Sequence, residues 1–454
     1  MKFKGGYRFR NFEGAAAPSL HELPVPDKVI LPIPDGMEAS VSHGETVQAG
    51  TSIMRDRGGS SLCFPSSVSG TVSSIDTHSI TISSDGSSTF EPVSGHNREP
   101  WRLEKSDVFQ IFARTGCSFL FDDPFRSLED CTATRHLVIN AVHNSPLNQS
   151  FDPETIGSPT TFLHGLQTLK AIYDTAEIVI AINRRNRKYF DTPELLKLAK
   201  TVILSDRYPQ EFPEMIARDA LQKQLVSPEG NIDTSISFLQ FADVIHIAEV
   251  MTEGRPLIDR ILVAAGPGVS RPAWYRIRLG TTLDELKVRL FKWEYVGPWR
   301  IIRGNPLVGT VVDPADFSVL PSDHELSSIS EHAERELLKF VMPGIAADSY
   351  PKITVAAYVS IMPKKIETNI HGGIRPCVQC NYCDEVCPVE LYPFMIWKNV
   401  TADAVEESFR FRPNDCISCG LCNYVCPSKI SLYQSIRQAK EAYHEQKRSA
   451  DVHD

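Results

Sequence analysis

Eight cysteines fall into two short runs, and their spacing is where the sequence commits to chemistry. The first run is Cys377-Val-Gln-Cys380-Asn-Tyr-Cys383-Asp-Glu-Val-Cys387-Pro388, and the second is Cys416-Ile-Ser-Cys419-Gly-Leu-Cys422-Asn-Tyr-Val-Cys426-Pro427. Both read C-x2-C-x2-C-x3-C-P, the pattern that holds a [4Fe–4S] cube. Three thiolates at three-residue intervals lie on one tight loop and reach three irons of a cube. The fourth, on the departing segment, points away and serves the other cluster when two such runs pack together. On that rule one cluster takes Cys377, Cys380, Cys383 and Cys426, and the other takes Cys416, Cys419, Cys422 and Cys387. Zinc is the alternative for thiolates, but structural zinc takes two separated C-x2–4-C pairs rather than four cysteines in one run closed by proline. Cys63, Cys117 and Cys131 stand apart and read as inert core thiols.

The elements that must position these thiols belong to a chain of 454 residues, long enough for three or four domains. With 42% hydrophobic and 23% charged residues it is an ordinary globular composition. A net charge of −9 argues against a generic nucleic-acid binder, so no nucleic-acid partner is expected. Bunched cysteines are not the layout of a secreted disulfide scaffold and imply a reducing compartment. The start, MKFKGGYRFRNFEG, lacks a signal-peptide pattern, and no apolar run approaches the ~20 residues of a membrane span. Any work at a membrane is therefore expected to go through partners.

Composition and periodicity divide the chain into a multidomain α+β protein with four expected units. Residues 1–98 carry short strands at Val29-Ile30-Leu31, Thr46-Val47, Thr71-Val72 and Ser79–Ile82, separated by glycine turns. They resemble a barrel-sandwich hybrid of biotinyl/lipoyl type, although Gly58–Leu62, where such a module presents its carrier lysine, has none. Residues 99–250 alternate buried-strand runs (136–141, 177–182, 201–205) with helical patterns (159–173, 191–199, 211–224), the mark of a parallel α/β layer. Within it, His143, Arg184 and Arg185 read as a solvated charge cluster. Residues 251–325 return to strands, with a helix expected from Thr282 and a strand-end turn at Gly266-Pro-Gly268, and look like a β-grasp (SLBB) module. Residues 326–454 form a helical dicluster ferredoxin domain. Helices are expected at 330–340, at Thr401–Arg410 behind a threonine cap, and over Leu432, Tyr433 and Ile436, with a frayed tail from Gln446. Ile374, Val386, Ile417, Leu421, Val425 and Ile430 are expected to keep water off the clusters.

The order of these parts carries a resemblance. Together with Arg255–Val269, Leu279–Leu286 and the two cysteine runs, it resembles the A subunit of the sodium-translocating NADH:quinone reductases and the C subunit of the Rnf ferredoxin:NAD oxidoreductases. Glu334–Gly344 is similar to the quinone reductase family in particular. The Rnf family keeps a glycine-rich flavin loop, GxGGxGFP. Here Thr115-Gly-Cys-Ser-Phe-Leu-Phe-Asp-Asp-Pro-Phe125 retains one glycine and places Asp122 and Asp123 where a flavin phosphate would lie. Backbone approach is lost and like charge repels the anion, which argues against bound FMN. The quinone reductase family usually keeps only a remnant of the cysteine motif, whereas this chain has all eight cysteines.

The resemblance implies an electron-relay subunit of a membrane-associated respiratory complex. It would be peripheral on the cytoplasmic face of the inner membrane, with membrane and flavin subunits as partners and a quinone among the candidates. Two alternatives stand: an Rnf C-like subunit that oxidises NADH or ferredoxin, and a docking subunit with structural clusters.

Overall fold

The computed structural model describes residues 3–97, 99–121, 127, 133–227, 230–292, 299–331, 350, 363–364, 366 and 374–451. The segments 330–340 and 334–344, Asp122, Asp123 and Cys131 fall wholly or mostly outside these residues.

After a first strand, β1 (Leu20–Glu22), the chain forms β2 (Lys28–Pro32), β3 (Met37–Ala39), β4 (Thr46–Val47), β5 (Ser52–Asp56), β6 (Cys63–Pro65), β7 (Gly70–Ile75) and β8 (Ser79–Ser84). β2–β8 make two small antiparallel sheets, ordered β2-β8-β7-β4 and β3-β5-β6. Strand alternation sends Val29, Leu31, Val72, Ile80 and Ile82 inward, and all five are buried. β1 does not join them: it pairs in parallel with a strand near residue 275, at the edge of the third sheet described below. The first unit expected from sequence therefore begins with a segment that the fold uses elsewhere.

Helix α1 (Lys105–Thr115) leads into the α/β layer, which consists of β9 (His136–Ala141), α2 (Pro159–Ile172), β10 (Glu177–Asn183), β11 (Lys200–Leu204), β12 (Ile236–Gln240) and α3 (Phe241–Glu253). Its four strands are all parallel, in the order β11-β10-β9-β12. Three of them are the apolar runs read from sequence. The fourth, Ile-Ser-Phe-Leu-Gln, is too short and mixed to stand out by periodicity. Helix α2 starts where Ser158 accepts a hydrogen bond from the Thr161 amide and a proline occupies the first turn.

The third sheet holds β13 (Asp259–Ala265), β14 (Ala273–Arg278), β15 (Trp299–Arg303), β16 (Thr310–Val311) and β17 (Glu325–Ser330), with β1 on its edge, in the order β1-β14-β13-β17-β15-β16. The expected helix is present as α4 (Leu283–Arg289), with Asp284 and Glu285 in its first turn. Gly266 makes the strand-end turn read from sequence. Its φ is +109°, and a Cβ there would lie 2.1 Å from the Ser328 carbonyl oxygen. Arg260 locks this sheet to the α/β layer. Fully buried, it pairs with Asp243 on α3 and donates to the Asp323 carbonyl at 2.9 Å.

Among the described residues the C-terminal part is helical: α5 (Tyr382–Glu385), α6 (Pro393–Thr401), α7 (Leu421–Val425) and α8 (Leu432–Asp451), with 3-10 turns at Val405–Phe411 and Pro413–Asp415. Two expectations fail here. Thr401 ends α6 instead of capping a new helix, because its hydroxyl donates back to the Trp397 and Lys398 carbonyls and Asp403 then turns to φ +57°. The last helix also does not stop at Gln446: within the described residues α8 runs on to Asp451, carried by the strong helix formers Ala, Glu, Gln, Lys and Arg.

Candidate metal centre

The two cysteine runs fold alike. Positive φ angles occur at Gln379 (53°), Asn381 (60°) and Glu390 (56°) in the first, and at Ser418 (58°), Gly420 (76°) and Lys429 (57°) in the second. Each position pairs with its counterpart at the offset that separates Cys377 from Cys416. The helices follow the same register: α5 answers α7, and α6 answers α8. Left-handed residues on both sides of Cys380 and of Cys419 curl each run into a tight loop, and the fourth cysteine follows the short helix.

Thiols from opposite runs come together, and Cys422 also packs against the apolar cluster that holds Cys383 and Cys426. Cys377, Cys380 and Cys383 line a narrow cavity together with Cys426 from the second run, walled by Phe394, Ile430 and Leu432. Cys416, Cys419 and Cys422 lie close enough to Cys387, from the first run, to act on one another electrostatically. Burial is the main force on these thiols. It pushes Cys383 up to about 12 and Cys387 up to about 11, and it raises Cys416, Cys419 and Cys422 as well. Neighbouring thiols push Cys387, Cys419 and Cys422 up further. Such thiols stay protonated unless a bound cation offsets the thiolate charge, so the donor set suits a multiply charged metal centre. Among the described residues, no three Cys, His, Asp or Glu side chains converge on a single-ion site.

Backbone amides already point at sulfur. The Leu391 N–H donates to Cys387 Sγ at 3.3 Å, and the Ser418 N–H donates to Cys416 Sγ at 3.4 Å. Other parts of the chain brace the loops, and sequence reading did not find them. Lys440 Nζ on α8 donates to the Cys416 carbonyl at 2.6 Å, and buried Tyr208 donates its hydroxyl to the Cys419 carbonyl at 2.8 Å. Arg218 donates to the Pro388 carbonyl at 2.7 Å, and the Gly6 amide donates to the Val386 carbonyl at 2.8 Å. Lys440 lies in the same domain as the motif; the other braces are far off in sequence and carry no local signal.

The expected apolar shield is mostly in place. Val386, Leu421, Val425 and Ile430 are buried and Ile417 is half-buried, but Ile374 is 72% exposed. It precedes the first loop on a stretch in which Arg375 and Pro376 are exposed too. The charge cluster read at His143 is also corrected. Arg184 and Arg185 are exposed, but His143 is held inside the α/β layer, where burial drives its pKa down to about 3 and keeps it neutral. Cys117 is buried with its thiol pushed up to about 12, as an inert core thiol should be, and Cys63 is half-buried.

Comparison with known proteins agrees with the motif. Residues 376–430 match the family described as "4Fe-4S dicluster domain". The A subunit of the Na(+)-translocating NADH-quinone reductase of Actinobacillus pleuropneumoniae serotype 5b (strain L20) is 26% identical over 380 residues, which is 81% of each chain. Its counterpart from Yersinia pestis bv. Antiqua (strain Angola) is 30% identical over 187 residues, 38% of this chain and 41% of that protein. Among solved structures, the NAD+-reducing [NiFe]-hydrogenase in the air-oxidized state matches 53% of this chain and 52% of its own, with 11% identity and a TM-score of 0.37. The chain is thus a relative, at modest identity, of the A subunits of the Na(+)-translocating NADH-quinone reductases, and it carries a 4Fe-4S dicluster domain.

Proposed function

We propose that the chain is the iron–sulfur electron-relay subunit of a membrane-associated NADH:quinone reductase-type complex. One [4Fe–4S] cluster would be held by Cys377, Cys380, Cys383 and Cys426, the other by Cys416, Cys419, Cys422 and Cys387. The observation that carries this reading is the gathering of thiols from opposite runs, Cys426 with the first loop and Cys387 with the second. A [4Fe–4S] cube supplies one-electron exchange without proton chemistry, so no catalytic acid, base or nucleophile is required. The chain's own work is to bind and orient the cubes, to aim the Leu391 and Ser418 amides at sulfur, and to exclude water with Val386, Leu421, Val425 and Ile430.

The remaining units fit a docking scaffold. We read the two small sheets as the barrel-sandwich unit (1–98), the parallel sheet as the flavin-subunit-like layer (99–250), the third sheet, apart from β1 and the part of β17 beyond Glu325, as the β-grasp unit (251–325) and the rest as the ferredoxin domain (326–454). FMN is not part of this reading, given the 115–125 sequence. Among the described residues no helix is long and apolar enough to cross a membrane. In this reading the protein sits peripherally on the cytoplasmic face, against membrane and flavin subunits that exchange electrons with NADH and a quinone.

The test is anaerobic purification followed by dithionite titration under EPR. Two clusters that dithionite reduces, and that NADH leaves oxidised in the absence of partners, are the expected result. Bleaching by NADH alone, or a flavin spectrum, would move the chain to the Rnf C-like reading. Clusters that cannot be reduced at physiological potentials would leave only a docking role.

A further inference from the structure

Far from the cysteine runs in sequence, the α/β layer holds a partly enclosed cavity of about 130 Å³ at the carboxyl ends of β9 and β12. That is the place where open parallel sheets bind ligands. Its walls combine aromatic rings with unpartnered polar atoms. Phe151 lies 4.0 Å from the His143 ring, centroid to centroid, and Trp274 stands edge-on to that ring at 5.5 Å, while Phe241 closes another side. His143 and Asn148 bond to each other, Asn148 Nδ2 donating to His143 Nδ1 at 3.1 Å. His143 Nε2 and Asn148 Oδ1 are buried and have no partner among the described residues.

The tautomer follows. With Nδ1 accepting, the His143 proton sits on Nε2, which leaves one orphan donor on the histidine and one orphan acceptor on Asn148. Flipping the Asn148 amide exchanges the two roles but still leaves one of each. Leaving both unsatisfied costs stability, so the cavity wants an occupant that accepts at one point and donates at another.

We propose that this cavity is a binding site for one small, neutral, planar heterocycle that carries both a hydrogen-bond donor and an acceptor. The size fits, since an apolar protein cavity of ~150 Å³ holds a single benzene ring. The aromatic walls offer stacking and edge contacts to a flat ring. The cavity carries little fixed charge, the part-ionised Glu325 being its one partial exception among the described lining residues, and this argues for a neutral occupant. Burial keeps His143 and His324 uncharged and pushes the Glu211 carboxyl up to about 8, so it is largely protonated at neutral pH. Glu325, raised to about 7 by burial, is engaged by the Ser145 and Ser327 hydroxyls. The neighbouring cation, Arg260, is already committed to Asp243, His324 and the Asp323 carbonyl.

Equilibrium dialysis of the full-length, cluster-loaded protein against uracil, 2-pyridone and nicotinamide tests this, with benzene and benzylammonium as apolar and cationic controls. Saturable binding of at least one heterocycle at one per chain, with a Kd of about 1 mM or tighter for so few heavy atoms, is expected, and neither control should match it. His143→Phe keeps a ring but removes the donor, and Asn148→Leu removes the acceptor. Each should weaken binding at least about tenfold, the effect of one lost hydrogen bond in a buried site. Unchanged far-UV circular dichroism and cluster absorbance would show that the variants fold. If all three heterocycles fail to bind, if benzene binds as well as they do, or if both folded variants bind like the parent, the cavity is a water site and the proposal is overturned.

Discussion

The first and second cysteine runs share a backbone and differ in surroundings. Around the first loop Ile374, Arg375, Pro376, Val378, Gln379 and Asn381 are all exposed, Val378 at 66%. Around the second, no residue from Cys416 to Val425 is exposed, and Tyr208, Lys440 and the Leu307 carbonyl press on it. One motif has thus been placed twice, once at the surface and once inside. The cysteine pattern dictates the loop, and the rest of the chain decides how wet the loop is. For an electron relay that difference has a use: the exposed site can meet a partner, while the inner one is insulated and carries its own potential.

The largest expected effect breaks the comparison at its crossing point. Cys387→Ala should abolish the cluster of the second loop and Cys426→Ala that of the first, each lowering iron content by about half. EPR of the reduced variants should show the surviving signal to be that of the mutated cysteine's own run. If each variant instead loses the cluster of its own run, the ligands are not crossed.

The backbone offers a second, smaller contrast. Asn381 and Gly420 occupy equivalent left-handed positions, but a Cβ at Gly420 would lie 2.9 Å from the Leu307 carbonyl oxygen. Gly420→Ala should cost at least about 1 kcal/mol and speed chelator-driven loss of the second cluster, whereas Asn381→Gly should leave the first intact. Timed absorbance decay in the presence of a chelator measures both.

Redox titration refines the comparison further. Water stabilises the more negative reduced cube, so the exposed first cluster should have the higher potential. Lys440→Met removes a cation bonded to the Cys416 carbonyl and should lower the second potential while leaving the first in place.

The smallest effect lies away from both runs. Glu211 is raised by burial from the ordinary carboxylate value to about 8 and Glu325 to about 7. Groups raised in the fold favour it fully at low pH and lose that contribution as pH climbs through the raised values. Thermal melts should therefore show the Tm falling by several degrees between pH 6 and pH 9, and Glu211→Gln should flatten that slope.

How much of this was legible in the sequence depends on the range of the interaction. Spacing alone pointed to both loops, because three-residue cysteine intervals leave few backbone paths. The strands near 136–141, 177–182 and 201–205 announced themselves as apolar runs. Ile236–Gln240 did not, since only its neighbour β9 makes it a strand. β1 did not stand out either, because its partner, β14, lies more than half the chain away. Ile374 looked like shielding by residue type, yet type does not reveal which side of a loop faces water. His143 read as a surface charge because its partner Asn148 and the Phe151 and Trp274 rings come together only in the folded layer.

The most direct test of the two-cluster relay is a count of iron and acid-labile sulfide on anaerobically isolated wild-type protein, with Mössbauer spectra of the same sample. Two cubes predict about eight irons and eight sulfides per chain, all in [4Fe–4S] form. Bound zinc with no labile sulfide, or only four irons per chain, would contradict it.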